Sequence, residues 1–415
     1  MKKTIMASSL ATLLFAPAVH AEDGSSVRVS GFGTAALTAT DTDKAEFGRP
    51  NQASGATTHP RTGVDSNLGL QVDAPLNSWL SVTAQGLVRK DAEDDYGAEA
   101  TWAFVKAKLS DDVSVRVGRM GLPVFMISDY RNVGYANTML RPPAEVYSQV
   151  SFGGVDGADI TWQHSFGDTT YTAQFAAGRT RAAINGGPTL EVNRIKALNL
   201  LVEHGPLTLR FGRADSRLTL TGSPSMDGLL ASLRAAGAGY RIAQLAPLAD
   251  AIAIRNKKGT FTSVGASLDW KNTVVQSEYA KRRGDSYLND TTSWYLMAGY
   301  RFGKLLPYVS HASLAIDRKV DNTIPAACPA GYPAACTPTL RALSAAVGTL
   351  PYTGVSQGEQ VTDTIGLRWD FYRSLAFKFQ LDHVRPTAMA GQLIKPQAGF
   401  HGPVNVGAVA LDFVF

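Results

Sequence analysis

Over most of its length the chain alternates apolar and polar residues in steps of two, in sixteen separate runs. In "LAFKFQLD" (375–382), Leu375, Phe377, Phe379 and Leu381 fall on one side of the backbone. Ala376, Lys378, Gln380 and Asp382 fall on the other. "TIGLRWDF" (364–371) and "PLTLRF" (206–211) repeat the pattern. Side chains of an extended strand point alternately to its two faces, so each run is a strand with one oily and one wet face. The runs lie at 28–40, 62–74, 79–90, 97–109, 113–120, 154–166, 169–180, 194–205, 206–217, 259–270, 273–284, 291–303, 304–316, 359–371, 374–385 and 404–415.

The connections between runs alternate in length. Links such as "DD" (111–112), "GD" (167–168), "KN" (271–272) and "GK" (303–304) are tight turns. The intervening links are longer: 41–61, 91–96, 121–153, 181–193, 218–258, 285–290, 317–358 and 386–403. An even strand count with short turns on one rim and long loops on the other predicts an all-β fold, a 16-stranded antiparallel transmembrane β-barrel with short periplasmic turns and long extracellular loops. A soluble sandwich gives no reason for turn length to segregate by side. Lipid tolerates no unpaired strand edge, so "VRVSGFGTAALTA" and "NVGAVALDFVF" must pair, and Phe415 is placed facing outward at the periplasmic interface.

The start of the chain agrees with export. Lys2 and Lys3, the apolar stretch Ile5 to Phe15 and "AVHA" (18–21) form a secretory signal peptide, 1–21, cut after Ala21. The barrel domain is then 22–415. Cleavage removes two lysines and no acid, leaving +3 of the chain's +5, too weak and dispersed for nucleic acid. No apolar run reaches 18 residues, which excludes membrane-spanning helices. Cys328 and Cys336 in "CPAGYPAAC" read as a local disulfide, and no cofactor or metal is expected.

The signal peptide, sixteen strands and terminal Phe resemble the Gram-negative trimeric porins. "VGRMGLPVFMISDYRNVGYANTMLRPPAEVY" (117–147), with "DSNLGLQVD" (65–73), is similar to a proteobacterial porin group; the "PEFGG"-type loop motif of enteric general porins is absent. The resemblance implies a water-filled channel for passive diffusion of small hydrophilic solutes and ions. It also implies an outer-membrane location, contact with membrane lipid and lipopolysaccharide, a homotrimer, and recognition of Phe415 by the barrel-assembly machinery. It makes 121–153 the loop that folds inward to constrict the pore.

That loop carries Asp129 and Glu145 as acids and Arg131 and Arg141 as bases. Strand parity places Lys106, Lys108 and Arg116 on the facing wall, with Arg119 beside the loop. Parity also turns Arg28, Arg89, Arg210, Arg282, Arg301, Arg368 and Lys378 to the lumen, because a charge facing lipid at mid-depth costs about 2–4 kcal/mol. Loop acids opposite wall bases predict a pore that leans weakly towards anions. The alternative is a substrate-specific channel for a small anionic solute. The first five strands are small and aliphatic outside (Val29, Gly31, Gly33, Ala35, Leu70), whereas later strands show Trp162, Phe175, Trp294 and Trp369. This assigns the subunit contact to strands one to five and the aromatic belt to the rest. In 226–254, Leu229, Leu230, Leu233 and Ala236, then Leu245, Leu248 and Ile252, have helical spacing and read as a loop helix packed over the mouth. Asp382 and His383 point to opposite faces and form no dyad, and no nucleophile elbow appears, so an enzyme is not expected.

Overall fold

A computed structural model describes residues 27–150, 152–328, 330–350 and 358–415. The expected signal peptide lies outside these residues, as do parts of the 317–358 loop. The sixteen strands are β1 (Arg28–Thr40), β2 (Asn67–Pro75), β3 (Leu80–Lys90), β4 (Tyr96–Lys108), β5 (Val113–Gly121), β6 (Gly154–Phe166), β7 (Thr169–Ala183) and β8 (Thr189–His204). They continue with β9 (Leu207–Thr221), β10 (Lys257–Trp270), β11 (Thr273–Gly284), β12 (Asp290–Tyr300), β13 (Leu305–Arg318), β14 (Gln360–Tyr372), β15 (Leu375–Pro386) and β16 (Val404–Val414). Each pairs antiparallel with its sequence neighbours, and β1 pairs with β16 to close the barrel.

Closure uses the last residue. Phe415 exchanges backbone hydrogen bonds with Gly31 at 2.9 and 3.0 Å. Its ring occupies the space a Cβ on Gly31 would need, and the Phe413 ring does the same over Gly33. Glycine at these two outward positions lets the aromatic pair lie flat on the barrel, with Phe415 itself 47% exposed. The tight turns need a left-handed residue to match strand twist. Gly167, Gly205 and Gly303 supply it, and Lys271 and Ser374 adopt the same conformation.

The wall is uneven in height. β2 and β5 have 9 residues each, enough to span a bilayer, whereas β7, β8 and β9 have 15, 16 and 15. The expected 181–193 link therefore shrinks to 184–188, and β8 and β9 rise beyond their expected limits. Those upper ends keep alternating because their inner faces (Leu190, Val192, Leu218) pack against loop helices. The helices there are α2 (Pro224–Gly239), α3 (Leu245–Ile252) and α4 (Cys336–Thr349), and among the described residues no helix is long and apolar enough to cross a membrane. Proline at the first helical position and Asp227 in the first turn suit the α2 N-terminus. Leu230, Leu233 and Ala236 of α2 meet Leu245, Leu248 and Ile252 of α3 in the core, with Leu229 only partly buried. Cys328 and Cys336 are disulfide-bonded at the start of α4.

Candidate functional site

After β5 the chain folds back into the barrel. This loop, L3 (122–153), carries a 3-10 turn at Gly134–Ala136 against β1 and β16, and the short helix α1 (Ala144–Tyr147) against β11, β12 and β13. Gly134 is pressed so closely to the wall that a Cβ there would meet Asp412 Oδ1 at 2.1 Å. Apolar contacts add to the seat: Phe125 packs on Tyr147 and Phe261 with ring centroids 4.8 and 5.0 Å apart.

Much of the wall charge is spent on holding L3. The Lys378 ammonium donates to the carbonyls of Gly134, Asn137 and Met139 at 2.7, 2.6 and 3.1 Å, and lies 2.9 Å from Asp412. Arg368 donates to the carbonyls of Tyr135 and Asn137, both at 2.8 Å, while pairing with Asp370. Glu278 on β11 accepts from the Met126 amide at 3.1 Å and the Tyr147 hydroxyl at 2.7 Å, with Arg210 4.0 Å away. Arg282 approaches the carbonyl of Gln149 at 3.4 Å.

From the loop side, Arg141 donates to both carboxylate oxygens of Asp65, at 3.1 and 2.7 Å, and to Asp382 at 2.6 Å. Burial alone would push the Asp65 carboxyl up, but Arg141 and Arg49 hold it below the usual carboxylate range. Glu145 is buried, accepting from Gln360 at 2.6 Å and Thr362 at 2.5 Å, and burial raises its pKa.

Of the expected loop acids and wall bases, Asp129 and Arg119 line one cavity together, while most of the others are drawn into the seat of L3. Glu145, Arg141, Arg210, Arg282, Arg368 and Lys378 lie in the contact between L3 and the wall. Arg301 pairs with Asp269 at 2.5 Å beside the short-turn rim, and Lys108 with Asp111 at 2.7 Å on the same rim. Strand parity bears on which face a side chain takes, not on where L3 lies against it.

Water has room on the other side of L3. A cavity of about 310 Å³ is lined by Gln85, Arg89, Trp102, Arg119, Asp129, Arg131 and Asn132, with Arg49 from the first long loop. Its lining includes six cationic residues (Arg49, Arg89, Lys90, Arg119, Arg131, Arg181) and three acids (Asp91, Glu99, Asp129), so it is net positive. An adjoining cavity of about 120 Å³ shares Arg49, Arg89 and Arg131, adds Arg141, and has no acid in its lining. Arg89 pairs with Glu99 at 2.8 Å and Arg49 lies 3.5 Å from Asp65. Arg131 makes no ion pair among the described residues, and burial, with Arg89 and Arg49 near, pulls its guanidinium down to about 10.

Of the remaining expected site residues, Arg116 makes a two-pronged pair with Asp159 at 2.5–3.1 Å and stacks over Phe104. Arg119 pairs with Asp156 at 2.6 Å, and Asp129 lines the larger cavity. Lys106, opposite Ser81 and Arg116, is exposed and has no ion pair among the described residues. Sequence reasoning missed Arg49, which sits in "FGRPNQ" with no periodicity to orient it. Parity turns Arg89 inward but does not mark it as a residue lining both cavities. Among the described residues no cluster of three His, Cys, Asp or Glu could hold a metal.

A model of the Gram-negative porin family matches residues 7–314. No curated protein matches the chain. Among solved structures, the fold is similar to OmpF of Salmonella typhi in complex with daunomycin, at 13% identity and a TM-score of 0.54, covering 95% of this chain and 99% of that one. It is also similar to an anion-selective porin from Comamonas acidovorans, at 14% identity and TM-score 0.54, covering 94% and 100%. The outer-membrane protein OmpT of Vibrio cholerae gives 9% identity, TM-score 0.54 and coverage of 96% and 100%.

Proposed function

The chain belongs to the Gram-negative porin family and is an outer-membrane channel for passive diffusion of small hydrophilic solutes, and from that premise we propose that Arg49, Arg89 and Arg131 set its selectivity, with a lean towards anions. The observation that carries this reading is that these three guanidiniums line both cavities beside L3, and the smaller cavity has no acid in its lining. A passing anion meets positive potential from the first long loop, the β3 wall and L3 together, in a confined space where charge is poorly screened. The anion-selective title of the Comamonas acidovorans structure agrees with the sign. Reversal potentials across a planar bilayer in a KCl gradient test it: chloride is expected to permeate faster than potassium, and a cation preference overturns the proposal.

The remaining partners follow from the outer surface. The secretory signal at 1–21 would deliver the chain to the periplasm, and Phe415, exposed at the barrel seam, is the residue for the assembly machinery to read. The low, small-residue face of β1–β5 suits contact with two further copies in a homotrimer. Outward cations near the loop rim, such as Lys281 over Tyr279 and Arg385 beside Asp363, suit lipopolysaccharide phosphates. Gel mobility before and after heating tests the trimer; a monomer in both lanes removes it.

A further inference from the structure

A second kind of cavity lies between L3 and the inner wall of the tall side of the barrel. It is about 70 Å³, and Leu122 and Val150 of L3 face Ile195, Leu218, Phe261 and Leu288 across it. One inward-facing charge borders this apolar space. Arg282, on β11, is 6% exposed. Its Nε and Nη1 reach the carbonyls of Asn289 and Gln149 only at 3.4 Å each, and its Nη2 has no hydrogen-bond partner. Arg283, next in the chain, turns to the outer face and pairs with Asp317 at 2.8 Å.

Arg282 stands apart from the other cations packed against L3. Arg210 has Glu278, Arg368 has Asp370, Lys378 has Asp412, and Arg141 has Asp65 and Asp382. Arg282 has no carboxylate within 4.0 Å among the described residues. Asp290 acts on it only from beyond that distance and is itself paired with Arg318 at 2.8 Å; a buried charge so weakly matched is costly, and an anion that also fills apolar space would relieve it.

We propose that Arg282 and this cavity form a binding site for a short-chain monocarboxylate, its carboxylate accepting from the Arg282 guanidinium and its hydrocarbon tail lying against Ile195, Leu218 and Phe261. The size limits the ligand. A cavity of about 150 Å³ takes a benzene ring, so 70 Å³ holds a tail of about three heavy atoms. Phe152 lines both this cavity and the larger water-filled one, which puts the site beside the diffusion path.

The test is saturation-transfer NMR on the full-length detergent-solubilised protein, which reads binding without conduction and so fails or succeeds independently of the selectivity proposal. Butyrate is the probe and butyramide its neutral isostere. Butyrate is expected to bind about tenfold more tightly than butyramide, the scale of one charge-assisted hydrogen bond. Arg282→Gln should erase that difference, and Ala214→Leu, which fills the cavity, should remove saturable binding of both. Ser216→Leu fills the same space if Ala214→Leu does not assemble into a heat-modifiable barrel. Equal affinities of the two probes in the unmodified protein overturn the proposal. So does butyrate binding that survives cavity filling, since the anion would then sit at the water-facing arginines.

Discussion

The two halves of this barrel use the same residue type for opposite purposes. Against β9–β16, inward arginines and lysines are packed under L3, and nearly all are matched by a carboxylate or by loop carbonyls. Against β2–β8, Arg89, Arg119 and Arg131 border the larger cavity, and Arg131 and Lys106 have no ion pair among the described residues. A buried, paired cation fixes a loop because losing its partner is expensive. A cation beside water without a paired carboxylate, as Arg131 is among the described residues, acts on passing ions because its field is not cancelled locally, whereas Arg89 and Arg119 are partly offset by Glu99 and Asp156. Inward orientation alone therefore does not make a charge part of the selectivity filter; the path of L3 decides.

The largest expected effect is on the holding side. Arg141→Ala leaves Asp65 and Asp382 buried without their shared cation, which costs about 3–5 kcal/mol for a buried pair. L3 should loosen, seen as excess noise in single-channel current and a lower temperature for heat modification on gels. Unchanged values for both would mean that Arg141 is not what seats the loop. Next in size is a shift of selectivity. A unit charge about 8 Å from a passing ion contributes roughly 0.5 kcal/mol even at the dielectric constant of water. Arg131→Glu changes this term in opposite senses for anion and cation, so the chloride-to-potassium permeability ratio should fall several-fold. Arg368→Gln, on the packed side, should leave that ratio close to its starting value. Equal shifts in the two variants would break the division of labour between the halves.

The fold was legible because strand alternation is local and lipid enforces it. All sixteen strands and the β1–β16 seam follow from a period of two and the need to remove edges. The ends of β7–β9 were not, because above the membrane their inner faces meet helices instead of water, and the link pattern there no longer marks the rim. The site was legible by direction and illegible by role. Parity turns Lys378 and Asp382 inward, yet what they do depends on a loop whose course is fixed by contacts hundreds of residues apart in sequence, such as Lys378 with Gly134. Arg49 was beyond reach altogether, since an irregular loop has no parity. Asp65, assigned to a strand, instead precedes β2, where it can bind both Arg141 and Thr38.

Salt separates the two halves by a smaller effect. Screening length falls from about 30 Å at 0.01 M to about 3 Å at 1 M. The anion preference set by the water-facing arginines should shrink across that range, measured as reversal potential at a fixed concentration ratio. The buried pairs under L3 are shielded from ions, so the heat-modification temperature should change little. A preference independent of salt would point to size exclusion as its source.

The smallest expected effect tests the packed half by pH. Burial raises the pKa of Glu145, with the hydrogen bonds from Thr362 and Gln360 opposing that rise only in part. A carboxyl whose folded pKa lies above its unfolded value stabilises the seated loop below the unfolded pKa, and that contribution is lost as pH rises through the folded one. L3 should accordingly be held more firmly in mild acid than in alkali, so far as this group decides it. Glu145→Gln keeps an acceptor for Gln360 and Thr362 and cannot ionise. The variant should match the parent in acid and become the more heat-resistant of the two as pH rises. A variant that is less heat-resistant than the parent at alkaline pH would mean that the ionised carboxylate is the form L3 requires, and that Glu145 belongs with the charged clamps Arg141 and Lys378.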